Sequence, residues 1–289
     1  MKLGQERSSP CPLVCGVPQG SILGPVLFLL FFDDFNDCIH HCNVLQFADD
    51  RVIFVSSKKV CDIENLLNSD LNSVSLYLNT NELVANLKKD KRESMLFGTA
   101  KRISSLPGDL RNLKLLFNDN PINFTDTYTY LGTILDSNLV QSTDFDSKYK
   151  IASKKVGVLR KLMELLTTET AHLVYDSIIV SALKYNCIVN FNLNSSQQSK
   201  LKSLQRRAES LFNIKTTPIM KTFNKQAIML VKKCLGGNVA PTFMEYFKLC
   251  DRGFNTRNNI ISVELPSVKL SFARNSFYFM GPNYLTLFL

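Results

Sequence analysis

Two adjacent carboxylates, Asp49 and Asp50, are the residues of this chain best suited to metal chemistry. The apolar runs 44–48 and 52–55 flank them, and their β-branched and aromatic composition predicts two short buried strands joined at the aspartates. Side chains alternate between the faces of a strand, so a hairpin tip can lift one carboxylate into a cleft. Unpaired charges favour a cation there, and oxygen-only ligands favour Mg²⁺.

A turn without chemistry is the alternative reading of this pair. Asp is common in turns because its side chain bonds the local backbone. A second pair, Asp33 and Asp34, follows the apolar stretch 22–32 and is interpreted as the end of a helix or strand. Acidic pairs therefore indicate function only when their surroundings match something more specific.

The composition is typical of a globular protein with more basic than acidic residues. The 289 residues allow one large domain or two ordinary ones, and 45% hydrophobic with 20% charged residues excludes a disordered tail. The formal charge of +9 favours a polyanionic partner. The stretch 22–32 is too short to span a bilayer, so we expect a buried core segment and no membrane partner.

The first residues contain no apolar signal segment, so we expect an intracellular protein, nuclear or cytoplasmic, whose eight cysteines are reduced thiols. One alternative for the cysteines is a zinc site. Cys11 and Cys15 share a spacing with Cys38 and Cys42, and two histidines lie between the second pair. Buried free thiols are the competing interpretation.

The second half of the chain is predicted to be mostly helical. Apolar spacing predicts a helix over 62–79 in the first half, a helix over 151–166 with one apolar side, and a later helix around 201–212. Basic residues form further stripes on the last two helices: Lys150, Lys154 and Lys161 on one, Lys202 and Arg206 on the other. Such stripes suit a phosphate backbone, although solvated helix faces are also often rich in lysine.

Two strings of residues point to a family. Residues 16–25 read Gly-Val-Pro-Gln-Gly-Ser-Ile-Leu-Gly-Pro, and residues 47–50 read Phe-Ala-Asp-Asp. Together and in this order they closely resemble the palm of reverse transcriptases from non-LTR (LINE-type) retrotransposons. Similar motifs continue along the chain, at 32–35, at Asn86 with 91–97, at 130–132 with Asp136, and at 201–211.

The resemblance implies an α+β fold with three regions. Residues 1–143 would form a partial reverse transcriptase palm, an antiparallel sheet with packed helices. Residues 144–235 would form a mostly helical thumb-like region, and residues 236–289 an irregular and helical extension. The sequence leaves the oligomeric state open.

The resemblance also implies two-metal nucleotidyl transfer, with Mg²⁺ or Mn²⁺ as cofactor and an RNA template and a DNA primer as partners. Asp49 would be a direct metal ligand and Asp50 would support the site. Ser21 would cap the helix that follows it. The implied binding residues are Gly16, Pro18, Gln19, Gly20 and Lys91 for nucleotide and template, Tyr130, Leu131 and Gly132 for the primer grip, and Lys150, Lys154, Lys161, Lys202 and Arg206 for the nucleic-acid backbone.

One departure from the family concerns a further metal-binding aspartate. The family carries it on a neighbouring palm strand upstream of the 16–21 motif, whereas Glu6 is the only acid among residues 1–15. We therefore expect a truncated reverse transcriptase that is inactive by itself. A nucleic-acid-binding remnant without catalysis is the alternative, and part of a longer gene product is a third reading.

Overall fold

A computed structural model describes residues 2–3, 6–7, 9, 16–86, 92–106, 113–139, 142–163, 165–189, 193–244, 247, 263–264, 276–277 and 279–280. The chain divides into two compact units, Met1–Thr125 and Asp126–Leu289. Helices alternate with small two-stranded sheets, which agrees with the expected α+β class. Among the described residues, no helix is both long enough and apolar enough to cross a membrane.

The first unit carries short strands around one long helix. Its described elements are β1 (Lys2–Leu3), β2 (Glu6–Arg7), α1 (Gly24–Phe31), a 3₁₀ helix (Asp33–Cys38), β3 (Asn43–Phe47), β4 (Asp50–Phe54), α2 (Val60–Thr80), β5 (Glu93–Ser94), α3 (Ala100–Ser104), β6 (Leu116–Phe117), β7 (Asn120–Pro121) and β8 (Asn123–Phe124). The pairs β1–β2, β3–β4 and β6–β7 are antiparallel, and β5–β8 is parallel.

Helix α2 confirms the amphipathic pattern predicted over 62–79. Val74 is buried on it, and Leu71, Tyr77 and Leu78 pack against the same aromatic cluster. The buried members of that cluster are Phe32, Phe35, Val74 and Phe117. The pair Asp33–Asp34 opens the 3₁₀ helix, as expected for an element end.

Helix α1 contradicts the prediction of a buried segment over 22–32. Gly24 and Phe32 are buried and Phe28 packs on the aromatic cluster, but the rest of the stretch is exposed. The exposed side chains are Ile22, Leu23, Val26, Leu27, Leu29, Leu30 and Phe31, with Ile22 at 94%. The physical reason is that a helix packed on one layer buries one stripe, and nearly every position of this helix is apolar.

The second unit begins with a hairpin and continues as helices. Its described elements are β9 (Thr127–Tyr130), β10 (Thr133–Asp136), α4 (Ser142–Met163), α5 (Thr168–Val174), a π-helical stretch (Tyr175–Val180), α6 (Ser181–Lys184), α7 (Ser195–Phe212), α8 (Ile219–Leu235) and α9 (Pro241–Met244). Helix α8 ends at Leu235, and Gly236 follows as its capping residue.

Helix α4 confirms the helix predicted over 151–166 but buries a different face. Ala152, Val156 and Leu159 face the core, with Phe145 two turns before Ala152. The predicted apolar side also includes Ile151, Val158 and Leu162, and these side chains are exposed, Val158 at 70%. The apolar pattern is wider than one helix can bury, and the small Ala152 lets α4 approach its neighbours closely.

Helix α7 has well-defined ends. The Asn194 side chain accepts a hydrogen bond of 2.8 Å from the backbone N–H of Gln197, whose Oε1 accepts one of 3.0 Å from the N–H of Asn194. This reciprocal pair satisfies N–H groups that a helix start leaves without partners. On this helix, predicted around 201–212, the buried side chains are Leu201, Leu204, Ala208 and Phe212, and Leu211 packs against them.

The compact units reflect packing, with the hairpin 127–136 grouped with the helices that follow it. The functional regions 1–143, 144–235 and 236–289 stay predictions. Several predicted features lie outside the described residues, among them Cys11, Cys15, Lys91 and most of the region 236–289 beyond Phe247.

Candidate active site

The two aspartates lie at the tip of a tight antiparallel hairpin. Strands β3 and β4 pair with Phe47 opposite Asp50, so Ala48 and Asp49 form a two-residue turn. Both carboxylates are exposed. Ala48 has a φ of 52°, which a residue with a Cβ rarely adopts and which costs on the order of 1 kcal/mol. The hairpin therefore presents two acidic side chains to solvent on a strained turn.

One face of the hairpin is packed and the other is open. Val44 and Ile53 are opposite each other and contact the aromatic cluster of the first unit. On the other face Leu45, Phe47 and Phe54 are exposed, Phe47 at 62%. The strands predicted to be buried are thus half-buried, because the cluster covers a single face of the sheet.

A buried carboxylate on α2 fixes the segment that leads into the hairpin. Asp70 is fully buried and accepts hydrogen bonds from the backbone N–H groups of His40 (3.2 Å), His41 (2.9 Å) and Cys42 (2.7 Å). Burial alone would raise the pKa of Asp70, but these bonds and one from the Cys42 thiol outweigh burial and lower it. The chain therefore enters β3 from a defined position.

Arg51 places a positive charge on β4, close to the turn that contains Asp49. Its guanidinium carbon lies 3.9 Å from the ring centre of Phe32 and 4.5 Å from that of Phe35. Alternation along β4 puts Arg51 on the packed face with Ile53, two residues from Asp49. Burial lowers the pKa of Arg51, while the acidic groups of Tyr77 and Asp49 oppose that shift.

Arg51 is only partly satisfied by hydrogen bonds. Among the described residues its Nε and Nη2 have no hydrogen-bond partner. Next to it, the Tyr77 hydroxyl donates to Asp34 Oδ1 at 2.6 Å, and burial together with this bond raises the pKa of Tyr77 to about 12. The guanidinium is thus held mainly by aromatic faces and by charge.

The Gln19 segment forms an exposed turn in the same unit. Gly16 and Gly20 have φ of 72° and 87°, and Pro18 and Gln19 between them are exposed. The Ser21 hydroxyl accepts from the N–H of Gly24 at 3.0 Å, so Ser21 does satisfy a helix-start donor, although Leu23 is the capping position. No hydrogen bond between described residues joins Gln19 to Asp49 or Asp50.

The predicted primer-grip residues form the hairpin of the second unit. Tyr130 pairs with Thr133, and Leu131 and Gly132 form the turn between them. The predicted backbone-binding residues Lys150, Lys154, Lys161, Lys202 and Arg206 are all exposed. Their neighbours Lys148 and Lys200 instead form ion pairs with Asp144 and Asp146. Lys91 lies outside the described residues.

The donor set at the tip fits a partial Mg²⁺ or Mn²⁺ site. Within the described ranges, no three His, Cys, Asp or Glu side chains are grouped to hold a metal ion. Mg²⁺ commonly takes one or two carboxylates and fills its remaining positions with water and substrate phosphates. Asp49 and Asp50 meet that minimum. The zinc alternative gains no support, because Cys38 Sγ donates to the Phe35 carbonyl and Cys42 contacts Asp70.

Comparisons with known proteins show similarity to reverse transcriptases. Residues 2–135 match the family described as reverse transcriptase (RNA-dependent DNA polymerase). The RNA-directed DNA polymerase from mobile element jockey of Drosophila melanogaster is 27% identical over 256 residues, which cover 83% of this chain and 26% of that protein. Its Drosophila funebris counterpart is 23% identical over 256 residues, covering 85% of the chain and 26% of the relative.

Residues 2–135 are a reverse transcriptase region of the non-LTR type. The chain spans about a quarter of the length of these curated relatives. No solved structure matches it significantly.

The reverse transcriptase region contains the 16–20 turn, the Asp49–Asp50 tip and the turn of the 127–136 hairpin. Sequence reasoning missed two residues that support the β3–β4 hairpin, Arg51 close to the tip and Asp70 at the opposite end. Arg51 had a visible signal, since it is a charge within an apolar strand. Asp70 had none in the sequence alone, because its partners are backbone N–H groups nearly thirty residues away.

Proposed function

We propose that this chain supplies the paired carboxylates of a two-metal nucleotidyl transfer centre that copies RNA into DNA. The observation that carries the proposal is the exposed, strained tip with Asp49 in the turn and Asp50 at the start of β4. Asp49 would bind the cation directly and Asp50 would support the site. A bound cation pair would activate the primer 3′-oxygen and stabilise the leaving pyrophosphate.

The remaining residues have proposed roles in binding and orientation. Gly16 and Gly20 allow the backbone to approach a nucleotide closely, since neither would meet another atom within 4 Å if it carried a Cβ. Gln19 and Pro18 would line the nucleotide and template side, together with Lys91. The 127–136 hairpin would hold the primer end as part of a palm, and the exposed lysines of α4 and α7 would follow the backbone in a thumb-like region.

Metal binding tests the proposal without requiring a complete active centre. We expect purified chain with primer–template and a non-hydrolysable nucleotide to bind Mn²⁺, followed by electron paramagnetic resonance. Asp49→Asn should abolish that binding. Asp33→Asn, which alters the other acidic pair, is the matched control and should retain it. Equal Mn²⁺ binding by Asp49→Asn and the control would refute the proposal.

Primer extension is the complementary assay. We expect any extension of a primer on an RNA template to require Asp49, since the proposal makes this carboxylate a direct metal ligand. Extension that persists unchanged in Asp49→Asn would contradict the polymerase chemistry.

A nucleic-acid-binding role without catalysis is the second candidate. The exposed basic side chains of α4 and α7 favour it, since phosphate contacts release counterions and give binding without sequence preference. It predicts salt-dependent binding to duplexes that Asp49→Asn leaves unchanged and Mn²⁺ does not strengthen. Duplex binding that depends on Asp49 and Mn²⁺ would favour the catalytic proposal instead.

A further inference from the structure

The turn of the 127–136 hairpin has a backbone shape that its own sequence disfavours. Leu131 and Gly132 have φ of 46° and 73°, so both central residues of the two-residue turn are left-handed. Hairpin turns with two such residues prefer Asn-Gly or Gly-Gly, because a side chain with a Cβ is strained there. Gly132 fits this preference and Leu131 does not. Contacts from elsewhere in the unit must therefore hold Leu131 in place.

Tyr185, in the turn after α6, makes those contacts. Its hydroxyl donates a hydrogen bond of 2.6 Å to the carbonyl oxygen of Leu131. Its ring lies against Gly132, where a Cβ would come within 3.2 Å of the ring carbon Cε1. The next residue, Asn186, donates from Nδ2 to the Thr133 hydroxyl at 2.6 Å. Two consecutive residues thus grip the turn and the start of β10.

The gripping residues are themselves anchored to α4. Lys148 Nζ donates to the carbonyl oxygen of Tyr185 at 2.9 Å and pairs with Asp144 at 2.7 Å. Asp144 is buried, and its Oδ1 accepts from the N–H of Ile134 at 2.9 Å. These contacts link β10 to α4, α4 to Tyr185, and Tyr185 to the turn directly before β10.

We propose that Tyr185, assisted by Asn186, is a positioning residue that holds the Leu131–Gly132 turn in the shape that receives the primer end. The primer-binding role of the hairpin rests on the proposed function. The grip of Tyr185 on the turn depends only on its hydrogen bond to Leu131 and its ring contact with Gly132. Tyr185 is half-exposed, so its hydroxyl can be removed without opening the core.

Hydrogen exchange of backbone amides tests the grip itself. Tyr185→Phe removes one hydroxyl, and Tyr149→Phe is the matched control, since Tyr149 stacks on Phe145 in the same unit. We expect the amides of 131–134 to exchange about fivefold faster in Tyr185→Phe than in the control, as expected for a lost hydrogen bond. Asn186→Gly should act in the same direction, because glycine keeps the positive φ of 50° and removes the donor. Unchanged exchange in both variants would overturn the grip.

Selectivity for a primer end tests the positioning. The full chain is titrated with a duplex that has a recessed 3′ end and with a blunt duplex of equal length. We expect Tyr185→Phe to reduce the preference for the recessed end about fivefold and to leave blunt-duplex affinity unchanged. Faster amide exchange in Tyr185→Phe, combined with an unchanged preference for the recessed 3′ end, would overturn the positioning role. A wild-type chain with no preference would overturn the proposed function together with this role, and the exchange data distinguish that case from failure of the grip.

Discussion

The carboxylate of Asp70 accepts a hydrogen bond of 2.7 Å from the backbone N–H of Cys42, the residue directly before β3. The fully buried Asp70 thereby connects the middle of α2 to the start of the hairpin that carries Asp49. A carboxylate can accept several N–H bonds at once, which a neutral side chain of similar size cannot do equally well.

Asp70→Asn is expected to destabilise the first unit by about 2 kcal/mol, since bonds to a charged acceptor are lost and backbone donors are left without full partners. Urea unfolding followed by circular dichroism measures the change. Asp62→Asn, on the exposed first turn of the same helix, is the control and should cost less than about 1 kcal/mol. Equal losses in the two variants would show that the three N–H bonds to Asp70 contribute little.

The carboxylate of Asp70 should also make the stability of the first unit depend on pH. The pKa of Asp70 is lower in the folded chain than in the unfolded chain, so its contribution is fully present above the unfolded value of about 3.9. That contribution is lost as the pH falls through the lower folded value. Thermal unfolding between pH 6 and pH 2 should show a steeper acid loss in the wild type than in Asp70→Asn, and parallel curves would contradict this.

Cys42 is expected to resist alkylation. Burial, followed by the hydrogen bond and the charge of Asp70, raises the pKa of its thiol to about 12, so thiolate is scarce at pH 8. Iodoacetamide labelling read by mass spectrometry should modify the exposed Cys61 well before Cys42. In Asp70→Asn the charge is gone, and Cys42 should react faster while Cys61 is unchanged. Equal labelling of the two thiols in the wild type would contradict the expectation.

The sequence predicted the secondary structure near the site better than it predicted burial. The β3–β4 hairpin, α2 and α7 follow from local periodicity and composition, which a sequence displays directly. The prediction that α1 and the face of α4 carrying Ile151 are buried was wrong. Periodicity shows which residues are apolar, but it does not show which of them pack against another element. Asp70 and Tyr185 form hydrogen bonds with backbone atoms of residues that are far away in the sequence, so no local pattern could reveal these contacts.

Arg51 is expected to weaken cation binding at the tip. Its charge lies on the packed face two residues from Asp49 and repels a divalent ion through a partly desolvated medium. Arg51→Met keeps contact with Phe32 and Phe35, and we expect Mn²⁺ affinity to rise about fivefold at low salt. Arg51→Lys retains the charge and should stay near the wild-type affinity. Electron paramagnetic resonance measures both, and an unchanged affinity in Arg51→Met would rule out this influence.

Salt dependence distinguishes a nucleic-acid surface on α4 from an ordinary solvated helix face. Lys154 and Lys161 are exposed on that helix, so their Nζ groups are available to phosphates. If both contact the backbone, Lys154→Gln with Lys161→Gln should reduce the slope of log affinity against log salt by about 1.8, which is roughly 0.9 per phosphate contact. Fluorescence anisotropy with a duplex at several salt concentrations gives the slope. Lys221→Gln with Lys225→Gln removes the same charge from exposed positions of α8, and we expect a smaller change there because long-range attraction is screened by salt. Similar slopes for the two double variants would mean that net charge, and not the α4 stripe, drives binding.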